Sequence, residues 1–356
     1  MERGFLPSIG CRSGWARQFQ TALLDWYRRN RRDLPWRRTR DPYAIWISEI
    51  MLQQTRVTAA IPYYERFLAR FPDLAALARA PEPELLACWA GLGYYQRARN
   101  LRKAARLIAG KGVFPASYED IRKLPGIGDY TAAAVASIAF DLPHAAVDGN
   151  VLRVLSRVLD DATDIASPSG RKHFAAAASS MLAHQAPGDF NQAMMELGAT
   201  ICLPKDPQCL LCPVAALCRV RANGGSANDF PVKLAIRKSV RETRRLLWIE
   251  RGGKVLAWQR PPDARLMPGF WELPEAGQIE ASIGAKLGSF RHTITFHRYL
   301  FEIFEAHAPA SEGSCRWLSE EELDSVPTST ILKKALRLGR LGKPRPISNR
   351  PARSRD

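Results

Sequence analysis

Apolar residues recur at intervals of three and four from early in the chain, as at Phe19, Leu23, Leu24 and Tyr27. This spacing continues to about Arg221 with no stretch of strand-like alternation, the pattern of amphipathic helices. Asp41-Pro42 reads as a helix start, with Asp41 as cap and Pro42 in the first turn, and Ser117 with Asp120 three residues on reads as another. Thr131–Ala139 and Phe174–Ala183 are rich in alanine, the best helix former. Asn223–Asn228 is a Gly/Asn/Ser linker, and the pattern changes after it. Leu246–Ile249 and Val255–Trp258 read as strands flanking a Gly252-Gly253 turn, and Ile294–Phe304 reads as a third. Short helices are predicted at Ala281–Leu287 and Thr330–Leu338. The expectation is an N-terminal extension (1–16), a mainly α domain (17–222), a linker (223–243), an α+β domain (244–340) and a basic, Pro-rich tail (341–356) expected to be disordered. No internal repeat is visible.

Composition narrows the partner. With 46% hydrophobic residues in 356 there is ample material for packed cores. No apolar run approaches the roughly 18 residues a membrane span needs, and Met1–Trp15 has no secretory h-region. A cytoplasmic, monomeric protein that does not enter a membrane is the expectation. The net charge is +17, and it is spread along the chain: 29 basic against 20 acidic residues in 1–222, and 23 against 15 in 223–356. A surplus this large, present in both halves, favours a polyanionic partner, nucleic acid or an anionic membrane surface. Two clusters stand out: Arg28 to Arg40 around Trp36, and Arg97 to Arg106 after a tyrosine pair. Taken alone, each reads as a solvated face.

Four features carry chemistry. Cys202, Cys209, Cys212 and Cys218 fall within 17 residues. With no export signal, disulfides are not expected, and four close thiolates suit either tetrahedral zinc or a cubane iron–sulfur cluster; spacing does not decide between them. In Leu124–Ala132, two glycines, Gly126 and Gly128, precede a helix opened by Asp129. Such a turn can present bare N–H groups to a phosphate, or it can be an ordinary interhelix turn. Asp148 precedes the apolar helix Val151–Leu159 and reads either as an N-cap or as a working carboxylate kept ionised by the helix end. Glu49 lies in a predicted helix, Tyr43–Thr55, that is apolar nearly all round, so it should be buried with a raised pKa. A high-pKa acid with a low-pKa anion is the pairing used to break glycosidic bonds; a structural hydrogen bond to backbone is the competing account of Glu49.

Taken together, these residues resemble the helix-hairpin-helix DNA glycosylases, and within them the MutY adenine glycosylases. Trp46–Thr55, Gly91–Tyr95, Leu124–Gly128, Val147–Val151 and Asn191–Met194 are similar to the family's motifs in order, and the cysteine spacing matches its 4Fe–4S loop. The resemblance spans about Arg17 to Arg221. It continues more weakly at Arg260-Pro261-Pro262 and at Phe290–Thr293, which look like the family's Nudix-like C-terminal domain.

The resemblance implies that Glu49 protonates a purine ring nitrogen and Asp148 stabilises, or transiently attacks, an oxocarbenium-like sugar, with Tyr130 and Asn150 in support. It implies that Gln54, Leu92 and Tyr94 probe and wedge the duplex, that the Gly126–Gly128 hairpin grips phosphate, and that the four cysteines hold a 4Fe–4S cluster. The implied substrate is duplex DNA with adenine opposite 8-oxoguanine or guanine, the adenine being extruded for excision. The endonuclease III branch carries a lysine where Tyr130 stands; without that amine the implied enzyme is monofunctional and leaves an abasic site. Downstream of Glu275 there is no glutamate array to hold magnesium, so the second domain is expected to recognise 8-oxoguanine rather than hydrolyse a nucleotide. Where the family commonly has Phe-Ser-His, this chain has Ile294-Thr295-Phe296, which leaves Thr295 as the candidate contact. The rival readings are a glycosylase for thymine opposite guanine, and a non-catalytic mismatch binder.

Overall fold

The computed structural model describes residues 13–234, 239–261, 263–264, 267–294, 296–307 and 315–341. Thr295 and the basic tail after Leu341 lie outside them, as does most of the N-terminal extension. Helices follow one another through the first part: α1 (Ser13–Asn30), α2 (Pro42–Leu52), α3 (Val57–Arg70), α4 (Leu74–Arg79), α5 (Glu82–Trp89), α6 (Gln96–Ala109), α7 (Tyr118–Arg122), α8 (Asp129–Phe140), α9 (Gly149–Leu159), α10 (Pro168–Met181), α11 (Pro187–Thr200) and α12 (Arg219–Ala222). The predicted starts hold. Asp41 caps α2 through the N–H groups of Tyr43 and Ala44, and Ser117 caps α7 through that of Asp120. Asp148 accepts from Val151 at the head of α9.

The chain divides into two compact units. The first comprises residues 1–80 and 99–236. Its core joins Phe19, Leu23 and Tyr27 of α1 to Val154 and Leu155 of α9, Phe174 of α10, and Phe190 and Leu197 of α11. The predicted linker is tied to this unit: Ile165 N–H donates to Val232 O at 3.1 Å.

The second unit comprises residues 81–98 and 237–356. The segment Pro81–Ala98, which the sequence places inside the helical domain, therefore groups with the sheets. Strands β1 (Val240–Trp248), β5 (Ile283–Ile294) and β6 (His297–Ala306) form one sheet in the order β1-β6-β5, with β1 parallel and β5 antiparallel to β6. Strands β2 (Glu250–Arg251), β3 (Lys254–Gln259), β4 (Trp271–Glu272) and β7 (Cys315–Leu318) form the other, centred on β3. The Gly252-Gly253 turn joins β2 to β3, and both glycines have positive φ, 55° and 76°. Helices α13 (Glu320–Ser325) and α14 (Thr330–Leu341) complete the unit, and Leu332 and Ala335 of α14 are buried in the core with Trp248 and Ile303.

No helix forms at Ala281–Leu287; residues 283–287 of it are the start of β5. Gly284 and Gly288 weaken a helix there, and ladder bonds to β6 supply the competing backbone partners.

Candidate active site

Four helices bring the predicted residues to one cavity of about 560 Å³, within the 300–1,000 Å³ usual for ligand pockets. Glu49 comes from α2, Tyr130 from α8, Asp148 and Asn150 from the head of α9, and Gln192, Met195 and Glu196 from α11. α2 packs on α8, and α11 packs on both α8 and α9. Close approach at the last contact depends on Gly198, where a Cβ would stand 2.6 Å from that of Asn150.

As its apolar surroundings predict, all of Tyr43–Met51 is buried, and Glu49 is only 6% exposed. Its Oε2 has no hydrogen-bond partner, which sets aside a fully satisfied structural carboxylate. Burial chiefly, with the Asp148 charge adding to it, pushes the Glu49 pKa up to about 7; a hydrogen bond from Tyr130 and the Arg37 charge oppose the rise. The Tyr130 hydroxyl stands between Glu49 and Met195, whose Sδ it approaches to 3.1 Å. Burial and the two carboxylates drive its own pKa well above the usual tyrosine value.

Asp148 keeps different company. Its Oδ1 accepts from the Val151 N–H and its Oδ2 from Asn150 Nδ2, both at 2.8 Å. Two donors at the head of α9 fix the orientation of this side chain. Asn150 is held in turn, since its Oδ1 accepts from Arg153 Nη2 at 2.9 Å. The segment leading into Asp148 is pinned by buried Asn191, which accepts from Ala146 N–H and donates to His144 O and Ser137 Oγ.

Sequence reasoning missed Arg37 and Glu196. Arg37 belongs to the cluster read as a solvated face, yet its side chain is 9% exposed, and its Nη2 lies 2.8 Å from Glu196 Oε2. Arg32 adds bonds of 2.8 and 2.7 Å to the same carboxylate, which these arginines hold at a pKa of about 2 against the cost of burial. The available signal was a Glu inside the apolar run Ala193–Leu197, the same anomaly that marks Glu49.

The residues expected to touch DNA divide. Gln54 falls just past the end of α2 and borders the cavity. Gln54 and Tyr94 both hold positive φ, 59° and 50°, an uncommon conformation for residues other than glycine. Tyr94 is 45% exposed, whereas Leu92 is buried. At the hairpin, Gly126 has φ +80°, and a Cβ there would meet Asn100 at 2.8 Å; at Gly128 a Cβ would meet nothing. Gly128 caps α8, whose first residue, Asp129, pairs with Arg122.

The four cysteines lie in the loop after α11, and all are free of disulfides. Burial chiefly, then the neighbouring thiols of Cys202, Cys218 and Cys209, pushes Cys212 up to about 12. Among the described residues no three His, Cys, Asp or Glu groups converge as ligands of one ion. The set is all thiol, and Cys212 and Cys218 each feel the other cysteines of the loop; such soft donors are what an iron–sulfur cluster takes, and as thiolates they need a cationic centre to offset their charge.

A buried acid and a hydrogen-bonded carboxylate across one cavity, beside a glycine hairpin, define a helix-hairpin-helix glycosylase of base excision repair. The sequence matches the HhH-GPD superfamily of base excision DNA repair proteins over residues 47–174. It is 34% identical to the mouse adenine DNA glycosylase, covering 90% of this chain and 77% of the relative, and 33% identical to the human one, covering 90% and 73%. A thermostable thymine-DNA glycosylase structure is 31% identical and superposes over 59% of this chain and 97% of its own, with a TM-score of 0.54. The chain belongs to the adenine DNA glycosylase family. Among the described residues no helix is long and apolar enough to cross a membrane.

Proposed function

We propose that this enzyme removes adenine from duplex DNA where it is mispaired with 8-oxoguanine or guanine, and that Glu49 and Asp148 divide the work. Adenine rotated out of the duplex enters the cavity. Glu49, protonated near neutral pH, gives its proton to a purine ring nitrogen as the N-glycosidic bond breaks, so that a neutral base departs. Asp148 faces the sugar and offsets the developing oxocarbenium charge, its carboxylate already oriented by Val151 N–H and Asn150. Water then adds at the anomeric carbon and leaves an abasic site. Tyr130 positions Glu49 and offers no amine, so strand cleavage through a Schiff base is not expected. The hairpin N–H groups of Gly126 and Gly128 hold a backbone phosphate beside the extruded nucleotide.

The four cysteines hold a 4Fe–4S cluster in this reading. When bound, the cluster shapes and stabilises the loop around Cys202–Cys218, which carries basic residues such as Lys205. The second unit reads the base opposite adenine.

The observation that carries this reading is the pair of unlike carboxylates on one cavity. The test is single-turnover base release on duplexes with adenine opposite 8-oxoguanine, adenine opposite guanine, thymine opposite guanine, and thymine glycol, each with and without alkali. Adenine release that yields alkali-labile sites supports the proposal; preferential thymine release, or breaks formed without alkali, overturns it.

A further inference from the structure

The guanidinium of Arg157 is almost wholly enclosed, at 1% exposure, and is among the largest fully buried side chains in the protein. Its Nη1 lies 2.7 Å from Leu203 O and 3.4 Å from Cys202 O. Its Nη2 lies 3.2 Å from Pro204 O, and its Nε 3.2 Å from Phe230 O. Nη1 also reaches Cys202 Sγ at 3.3 Å. Among the described residues no carboxylate forms an ion pair with it. Cys218 Sγ lies 3.5 Å from the Arg157 carbonyl, so a second thiol touches the same residue.

A buried cation needs an anion, because neutral carbonyls replace its hydration but not its counter-charge. The group in reach that can become anionic is the thiol set. Four thiolates around a cubane of iron and sulfide form a net anion, and hydrogen bonds and charge beside the cysteine sulfurs are the protein's means of adjusting such a centre.

We infer that Arg157 is the internal counter-charge of the iron–sulfur cluster and that it both retains the cluster and raises its reduction potential. The inference rests on the 4Fe–4S reading given above. A positive charge held beside Cys202 favours whichever state of the cluster carries more negative charge, which is the reduced one. Removing it shifts the balance toward the oxidised state. The same side chain joins the first cysteine to the carbonyls of the following turn, so its loss also loosens the loop around the cluster.

The test compares the full-length wild type with R157Q and R157K. The readouts are iron and sulfide content, loss of the visible cluster absorbance in the presence of a chelator, and the cluster's midpoint potential by film voltammetry. R157Q should lose absorbance several-fold faster. At a fixed potential it should show about a tenfold higher ratio of oxidised to reduced cluster, equivalent to about 59 mV for one electron. R157K keeps the charge but not the planar fork; it should lose the cluster faster while holding a potential near that of the wild type. If R157Q does not accumulate as folded protein, R157K decides: a potential near wild type with faster cluster loss supports the inference, and a potential about 59 mV lower overturns the charge argument. R157Q with wild-type potential overturns it alone. A wild type that binds no iron overturns the cofactor reading first, and this inference with it.

Discussion

Tyr95 lays its ring against Phe270 with centroids 4.2 Å apart, and its hydroxyl points to Thr328 O at 3.5 Å. Tyr95 directly follows Tyr94, the exposed positive-φ residue expected to probe DNA, so the sheet unit braces the probing loop from behind. A chain ending after Leu234 keeps Glu49, Asp148, the hairpin and the cysteines, and should still release adenine opposite guanine. Its preference for 8-oxoguanine should fall about ten- to a hundredfold, the scale of roughly 1–3 kcal/mol for contacts to one altered base. Single-turnover rates on the two mispairs check this, with F270A in the full chain separating loss of the brace from loss of the whole unit. An unchanged ratio in the truncated chain assigns lesion reading to the helical unit.

Glu49 must be protonated to act, so the single-turnover rate should fall as pH rises through about 7. E49Q should abolish base release and retain mispair binding. The stability linkage has a definite sign. The folded pKa lies above the unfolded value of 4.5, so the folded state binds the extra proton between pH 4.5 and 7, and stability falls as pH rises through that window. At about 1.4 kcal/mol per unit, the wild type should lose about 3 kcal/mol relative to E49Q between pH 4.5 and 8. Urea unfolding of both proteins at the two pH values measures it, and parallel curves would refute the assignment.

Asp148 is expected to act through its charge. D148N keeps the shape and should slow base release by about 10²–10³, the cost of losing one preorganised transition-state contact. It also removes a charge that raises the Glu49 pKa, so the residual activity should fall off at lower pH than in the wild type. A pH–rate profile of the slow variant reads both effects.

Tyr130 lowers the Glu49 pKa through its hydrogen bond. Y130F should therefore move the pH midpoint of the rate upward. Borohydride should trap little covalent protein–DNA adduct with the wild type and more with Y130K; efficient trapping by the unaltered enzyme would mean another amine serves.

The two hairpin glycines should behave differently. G126A places a Cβ 2.8 Å from Asn100 at φ +80° and should cost about 1–3 kcal/mol. G128A meets nothing and should leave the melting temperature nearly unchanged, so any loss of its DNA affinity reports the N–H surface itself.

Much of the chemistry was readable in the sequence because it is written in short, contiguous signals. A Glu in an apolar helix predicts its own burial; a carboxylate before a helix predicts its capping bonds; four cysteines within 17 residues predict that they share one loop. Helix period and caps are equally local, and α2, α7, α8 and α9 follow them. What the tertiary structure alone decided depends on partners far apart in the chain. Arg37 looked like one of several solvated arginines until folding brought it to Glu196, 159 residues away. Residues 283–287 became strand because β6 supplied ladder partners that no local propensity records. Arg157 gave no sign in the sequence, because an arginine in the last turn of an amphipathic helix is ordinary until its surroundings close. Burial, charge pairing and strand pairing are properties of what arrives from elsewhere, and the sequence by itself states only what each residue brings.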